Sequence, residues 1–221
     1  MTASAPRVAF LHTGAVVIPP VAELAREHLP GATTINYLDD KIVADLGDAD
    51  LAASVPERIA DLVQAAKSAG ADIVMLTCSS ISQLAAPTAE RIGIPVLRID
   101  EAMADQAVSL GSRIAVLATL RTTLTPTTAL IRERAALAGA SPDIAGVVID
   151  GAFEAVSGGD RPTHDRLVGA AIERAAGTAD VVVLAQASMA SAAESVNVDV
   201  PVLTSLEPGI KRLREAVDAL P

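Results

Sequence analysis

Aromatic side chains are almost missing from this 221-residue chain, which has no tryptophan, one tyrosine and two phenylalanines. Proteins that hold single-stranded nucleic acid stack the bases on aromatic platforms, so that mode of binding is excluded. Basic charge is short as well. Against 27 Asp plus Glu, the 17 Lys plus Arg leave a net charge of -10 and no basic footprint for a phosphate backbone. Nucleic acid is therefore not an expected partner. One cysteine rules out an intrachain disulfide framework and suits a reducing compartment. The first residues lack a basic segment followed by an apolar signal core, and no apolar run approaches the length of a membrane span. A cytoplasmic protein with no membrane partner is expected. The three histidines and the cysteine show no metal-ligand spacing, so no metal is expected either.

What the chain holds in quantity is small and branched apolar residues, with 51% of it hydrophobic. Ala, Val, Leu and Ile suit parallel strands packed against alanine-rich helices. The clearest strand lies in Ala71-Asp72-Ile73-Val74-Met75-Leu76-Thr77-Cys78-Ser79-Ser80. An apolar run without alternation, preceded by Gly70 and followed by hydroxyl residues, reads as a central strand buried on both faces. Sites in such sheets gather beyond the carboxyl ends of the strands. Cys78 falls there, and its thiolate would be the best nucleophile or base in the chain. A lone cysteine is ordinarily a small buried hydrophobe, so the reading needs support from its context.

That context is a duplication. Ala179-Asp180-Val181-Val182-Val183-Leu184-Ala185-Gln186-Ala187-Ser188 aligns without a gap at a shift of 108, from 179 minus 71. Gln186 then stands where Cys78 stands, and Ser188 where Ser80 stands. Ile94-Pro95-Val96-Leu97 recurs as Val200-Pro201-Val202-Leu203, and the segment 7–13 recurs as 113–119, both at a shift of 106. The chain is long enough to bury two half-sized cores. The expected fold is α/β, with two pseudo-symmetric, doubly wound parallel-sheet lobes and an active-site cleft between them. Lobe one is residues 1–100 plus 208–221 and carries Cys78; lobe two is residues 101–207 and carries Gln186.

Within lobe one, strands are expected at 7–11, 33–38, 73–76 and 95–99. Helices are expected from Pro19 or Pro20 to Pro30 and over 56–68, 87–92 and 100–110, with 41–55 weakly patterned. In lobe two a strand at 114–118 leads into a threonine-rich loop over 119–128 and then a helix through Ala138. Residues 157–162, with two glycines and a proline, read as a loop or lid. A helix over 163–176 precedes the Gln186 strand, and a strand at 202–204 and a helix over 208–220 close the chain. His28 and His164 fall in helical surroundings and are expected to face solvent.

Thr77-Cys78-Ser79-Ser80 after an apolar strand, echoed by Leu184-Ala185-Gln186-Ala187-Ser188-Met189, resembles the aspartate/glutamate/hydantoin racemase superfamily over essentially the whole chain. The resemblance implies paired α/β lobes, no metal or pyridoxal cofactor, a small carboxylate substrate, and a cysteine from each lobe on either side of the substrate's α-carbon. This chain retains only the first cysteine, Cys78. It also lacks the Asp-Ser pair that glutamate racemases carry after the first strand and the His that follows their second cysteine. His12-Thr13, Leu38-Asp39-Asp40, Thr77-Cys78-Ser79 and Ala185-Gln186-Ala187-Ser188-Met189 together resemble a poorly characterised branch of that superfamily.

Two-base racemisation needs one group to remove the α-proton and a second to supply one on the opposite face. Gln186 is a neutral amide without a proton to exchange. The expectation is therefore carbon-acid chemistry of the racemase or isomerase kind with a single thiol, Cys78. The alternatives are a one-thiol decarboxylase, a Cys-dependent hydrolase built on a Cys78-His12-Asp39 relay, and a non-catalytic carboxylate-binding protein. Thr13, Ser79, Ser80, Thr119, Thr122 and Ser188 are the candidate substrate-binding residues, with backbone N–H groups after the central strands as oxyanion donors. Helix capping is the competing role for such Ser and Thr residues. His12, Asp39 and Gln186 are the auxiliary candidates, and the reading leaves a homo-oligomer open.

Overall fold

The computed structural model describes residues 5–220. The chain divides into two compact units, one reaching to Ile99 and resuming at Leu206, the other Asp100–Ser205. Unit one holds strands β1 (Arg7–His12), β2 (Thr33–Leu38), β3 (Ile73–Leu76) and β4 (Val96–Arg98). Its helices are α1 (Ile18–His28), the short α2 (Ile42–Asp45) and α3 (Ala49–Ala52), α4 (Val55–Ser68) and α5 (Ala85–Ile92). Unit two opens with α6 (Glu101–Leu110) and β5 (Arg113–Ala118), followed by α7 (Arg121–Leu137), β6 (Asp143–Val148), α8 (Ala152–Ser157) and α9 (Arg161–Ala176). It ends with β7 (Val181–Leu184), α10 (Ala190–Ser195) and β8 (Val202–Leu203), and α11 (Leu206–Asp218) returns to unit one.

Each unit has one four-stranded parallel sheet, ordered β2-β1-β3-β4 and β6-β5-β7-β8. The registers repeat with the sequence shifts: Val8 pairs with Ile73 as Ile114 does with Val181, and Val74 with Val96 as Val182 does with Val202. β3 and β7 are buried at every position, as expected of central parallel strands covered on both faces. In unit two, helices α6 and α7 cover the face of Ile114, Val116 and Val183, while α9 and α10 cover that of Ala115, Leu117 and Val182. In unit one, α4 and α5 cover Ala9, Leu11, Val74 and Leu76, and α1 packs with α11. The duplication extends to a polar clamp at the start of each central strand. Asp72 accepts from the Arg7 backbone N–H, and Asp180 accepts from the Ser112 and Arg113 N–H groups and from the Arg113 guanidinium. That guanidinium holds the Asp180 carboxyl down at about 2.

Three expectations fail. Residues 119–128 are not a loop, because α7 starts at Arg121 and carries Pro126 within it. Burial of Thr123, Leu124, Thr127, Leu130 and Ile131 at helical spacing outweighs the low helix propensity of threonine. The loop or lid at 157–162 shrinks to a short turn between α8 and α9, with Asp160 capping α9 by accepting from the Thr163 N–H. An unexpected strand, β6, lies at the sheet edge; Gly146 and its exposed neighbours give it no apolar pattern. Among the described residues, no helix is long and apolar enough to cross a membrane.

Candidate active site

From the edge inward, the carboxyl end of the unit-one sheet carries Asp39 after β2, His12 and Thr13 at the end of β1, and Thr77 to Ser80 after β3. Register sorts them by face. Phe10 pairs with Asn36 and Met75, and His12 with Leu38, so Phe10, His12, Asn36 and Met75 share one side of the sheet. Ala9, Leu11, Val74 and Leu76 form the other side, and Cys78 packs against their cluster.

His12 is fully buried, with Nδ1 2.8 Å from Thr77 Oγ1 and Nε2 2.9 Å from Asn36 Oδ1. Burial pushes its pKa below the ordinary 6.5, opposed by the Asn36 hydrogen bond. Asp39 is held by the Arg58 guanidinium of α4, which also grips Asp45. Those ion pairs, Asp39 foremost, raise the Arg58 pKa further. The Cys78-His12-Asp39 relay is therefore not assembled. The imidazole nitrogens engage Thr77 and Asn36, Asp39 engages Arg58, and the thiol packs on the opposite side of the sheet from the ring.

Cys78 is half-buried at the start of a tight turn. The Thr77 N–H donates to the Leu11 carbonyl, extending the ladder one residue past β3, and the Cys78 carbonyl accepts from the Ile81 N–H. Ser79 and Ser80 are buried, and the Ser79 carbonyl accepts from Ser82 Oγ. α5 begins only at Ala85, so these serines lie in a turn and do not cap that helix. Arg98, the last residue of β4, donates to Ser82 Oγ at 2.8 Å and brings a guanidinium to the Cys78 turn. Sequence reasoning missed Arg98, Arg58 and Asn36; for Arg98 and Asn36 a charged or amide residue at or near the carboxyl end of a strand was the available signal, whereas Arg58 lies in the first turn of α4 and carried none. Thr13 is buried immediately after β1.

In unit two, Gln186 follows β7 and closes a two-bond ring with Thr119, which follows β5. Its Oε1 accepts from the Thr119 N–H at 2.6 Å, and its Nε2 donates to Thr119 Oγ1 at 2.7 Å. Since Nε2 can only donate, the Thr119 hydroxyl keeps its own proton for another acceptor. Ser188 lies in the 3-10 turn Ala187–Met189, and its carbonyl accepts from Arg161 Nη1 of α9 at 2.7 Å. Thr122 sits in the first turn of α7, partly exposed. The structure thus joins Gln186 to Thr119 and sets His12 and Asp39 in separate networks.

The two remaining histidines are not solvent-facing as expected. His164 is fully buried and bonded through Nδ1 to Asp165 at 2.7 Å, and His28 has its Nε2 buried. Both occupy helix faces turned inward, which their polar neighbours in sequence concealed.

Chemically, unit one offers a thiol in a turn of small hydroxyl residues, and unit two offers a neutral amide in the equivalent place. Two parallel-sheet units, each with a loop beyond its central strands, define an α/β protein of the kind that gathers its chemistry at strand carboxyl ends. The chain belongs to the Asp/Glu/hydantoin racemase family, a family of enzymes whose profile matches residues 11–213. Its fold is similar to that of a glutamate racemase isoform from Bacillus anthracis, with TM-score 0.78 and 15% identity over 97% of this chain and 82% of that one. It is similar to allantoin racemase from Klebsiella pneumoniae, with TM-score 0.65 and 18% identity over 97% and 88%. It is also similar to an arylmalonate decarboxylase, with TM-score 0.60 and 20% identity over 97% and 93%. At these identities the likenesses establish the fold. No curated protein sequence matches the chain.

Proposed function

We propose that this enzyme acts on a small carboxylate by cofactor-independent carbon-acid chemistry of the racemase or isomerase kind, with Cys78 as its one acid–base thiol. The observation that carries the reading is the state of Gln186. At the repeat position of Cys78 stands an amide locked onto Thr119 by two hydrogen bonds. It orients a hydroxyl and supplies no exchangeable acid.

The Cys78 thiolate removes the α-proton, charge passes into an enolate, and the thiol returns a proton to the same face; this α-proton exchange is the half of a racemisation that a single thiol completes, with no net inversion. Enolate and carboxylate oxygens are stabilised by donors that need no reorganisation during the reaction. Ser79, Ser80 and Thr13 are the candidates for that role in unit one, and Thr119, Thr122 and Ser188 are the candidates in unit two. Decarboxylation is the second reading, favoured by the same single thiol. Loss of carbon dioxide from a malonate-type acid gives the same enolate, which Cys78 protonates from one side. The hydrolase alternative loses its support with the relay.

Incubation of amino, hydroxy and aryl-substituted carboxylic acids in heavy water tests this reading. The expected result is deuterium at the α-carbon with configuration retained, abolished by Cys78→Ala. Racemisation of both enantiomers at comparable rates, unchanged in Gln186→Ala, would sink the one-thiol site.

A further inference from the structure

An open sheet edge leaves a row of backbone N–H and C=O groups without a neighbour, and proteins protect such rows with short strands, charges or proline. β4 and β8, at one edge of each sheet, are three and two residues long and offer little to pair with. β2 is six residues long, but it exposes Thr33, Thr34 and Asn36 and runs directly into Asp39-Asp40-Lys41. β6 is also six residues long and carries no such protection over its centre. Asp143 is the only ionisable residue between Ala135 and Ile149, in a chain that is 20% charged, and Ala145, Gly146 and Val147 are all exposed. Leu137, at the end of α7 just before this strand, is 71% exposed.

The ladder fixes where each backbone group points. The Asp143 N–H donates to the Ser112 carbonyl and the Ile149 N–H to the Ala118 carbonyl, so the odd-numbered residues of β6 bond inward to β5. Ile144, Gly146 and Val148 therefore aim their N–H and C=O groups outward, where among the described residues no strand pairs with them. Side chains alternate as well: Ile144 and Val148 pack with the cluster under α7, whereas Ala145 and Val147 lie on the other, uncovered face. We propose that β6 is a dimerisation edge, pairing antiparallel with β6 of a second copy of this chain about a two-fold axis at Gly146. Antiparallel strands exchange two hydrogen bonds between residues whose polar groups face each other, and here those are the even-numbered ones. Gly146 then meets Gly146 of the second copy and Ile144 meets Val148 in both directions, which gives about six hydrogen bonds, two for each of three pairs. A two-fold satisfies both rows at once, so the fitting occupant is the chain itself. Charge selects the same place. Copies that each carry a net charge of -10 repel, but the paired rows are uncharged and Asp143 falls at the rim, where salt screens charges over about 8 Å. Against the roughly 1,200–2,000 Å² buried in a stable interface a six-residue edge is small, so the dimer is reversible, with a dissociation constant on the order of micromolar. The proposal stands whether or not the carboxylate chemistry proposed above is correct.

Sedimentation velocity of the full chain, from about 1 to about 200 µM, reads the association without any substrate. The wild type should move from 22.5 kDa toward twice that mass as concentration rises. Val147→Lys and Val147→Glu each set a charge near its own symmetry mate, and each should weaken the dimer by roughly tenfold or more, as like charges brought together across an interface do. Both should melt close to the wild-type temperature, because Val147 is 44% exposed. Ala145→Lys, on the same face, gives the same readout should either variant lose its melting transition. Mixed in equal amounts, the two Val147 variants should recover the dimer, since the introduced ammonium and carboxylate face each other diagonally across the axis, about 7–8 Å apart at Cα. Thr34→Lys, on the other long edge, should dimerise as the wild type does. A wild type that stays at 22.5 kDa throughout, a dimer indifferent to the changes at Val147 and Ala145, one lost equally in Thr34→Lys, or Val147 variants that stay monomeric when mixed would each overturn the proposal.

Discussion

His12 is buried at the end of β1, with its ring nitrogens against Thr77 and Asn36. Its folded pKa is lowered, first by burial, from the unfolded value of 6.5. The sign of the effect on stability follows. Above 6.5 both states hold a neutral ring and burial costs nothing in protonation; as pH falls through 6.5 the unfolded chain takes up the proton first, and stability declines until the native ring protonates as well. Urea midpoints measured from neutral pH downward should therefore fall more steeply for the wild type than for His12→Gln, and equal slopes would show that the buried ring is not depressed. Cys78 gives the companion prediction. Cys78, partly buried in a turn of small residues, should label with iodoacetamide at neutral pH, and Cys78→Ala should remove all deuterium exchange while leaving the melting temperature close to that of the wild type. Labelling as slow as that of a buried thiol, together with activity surviving in Cys78→Ala, would return the cysteine to a packing role.

At the scale of elements, the decisive contacts are those that anchor a helix where sequence pattern alone would not. Gly209 lies inside α11, where replacing glycine by alanine ordinarily stabilises a helix by about 1 kcal/mol. Here a Cβ would collide with the Ile99 carbonyl oxygen at the end of β4, a backbone atom that cannot swing aside. Overpacking of this kind costs about 1–3 kcal/mol, so Gly209→Ala should lower stability on balance. Chemical denaturation checks the direction; a stabilised variant would mean that α11 is not seated as described. The same contrast explains what was legible beforehand. Strands 33–38 and 73–76 were read to the residue, because edge alternation and a fully apolar run are each governed by local pattern. α7 was not, because threonine and Pro126 argue locally for a loop while Thr123, Leu124 and Thr127 gain their burial only from α6 and the sheet. The site divides in the same way. Its position at the strand ends, and the pairing of Cys78 with Gln186, came from the duplication. The partners of His12, Asp39 and Gln186 come from strands and helices distant in sequence, which no linear pattern reports.

On the scale of the whole molecule, the chain holds two copies of one topology, and the copies differ at the position of Cys78 and Gln186. Thr13 and Thr119 are buried in both, whereas Cys78 keeps a thiol and Gln186 has become a clamp on Thr119. Binding of a carboxylate substrate should stabilise the native state by mass action, by about 2.7 kcal/mol at a hundredfold excess over its dissociation constant. A thermal-shift series of dicarboxylates, keto acids, hydroxy acids and hydantoins should contain at least one stabilising compound. For that compound, Gln186→Ala frees the Thr119 hydroxyl and N–H from their fixed geometry and should weaken binding by about 1 kcal/mol, roughly fivefold, without unfolding the protein. Cys78→Ser should bind nearly as well as wild type while failing to exchange deuterium, because it keeps a small polar group and loses the acidic proton. Stabilisation that is unchanged in Gln186→Ala would mean that the Thr119 clamp takes no part in holding the ligand, and unit two would then be dropped from the binding site.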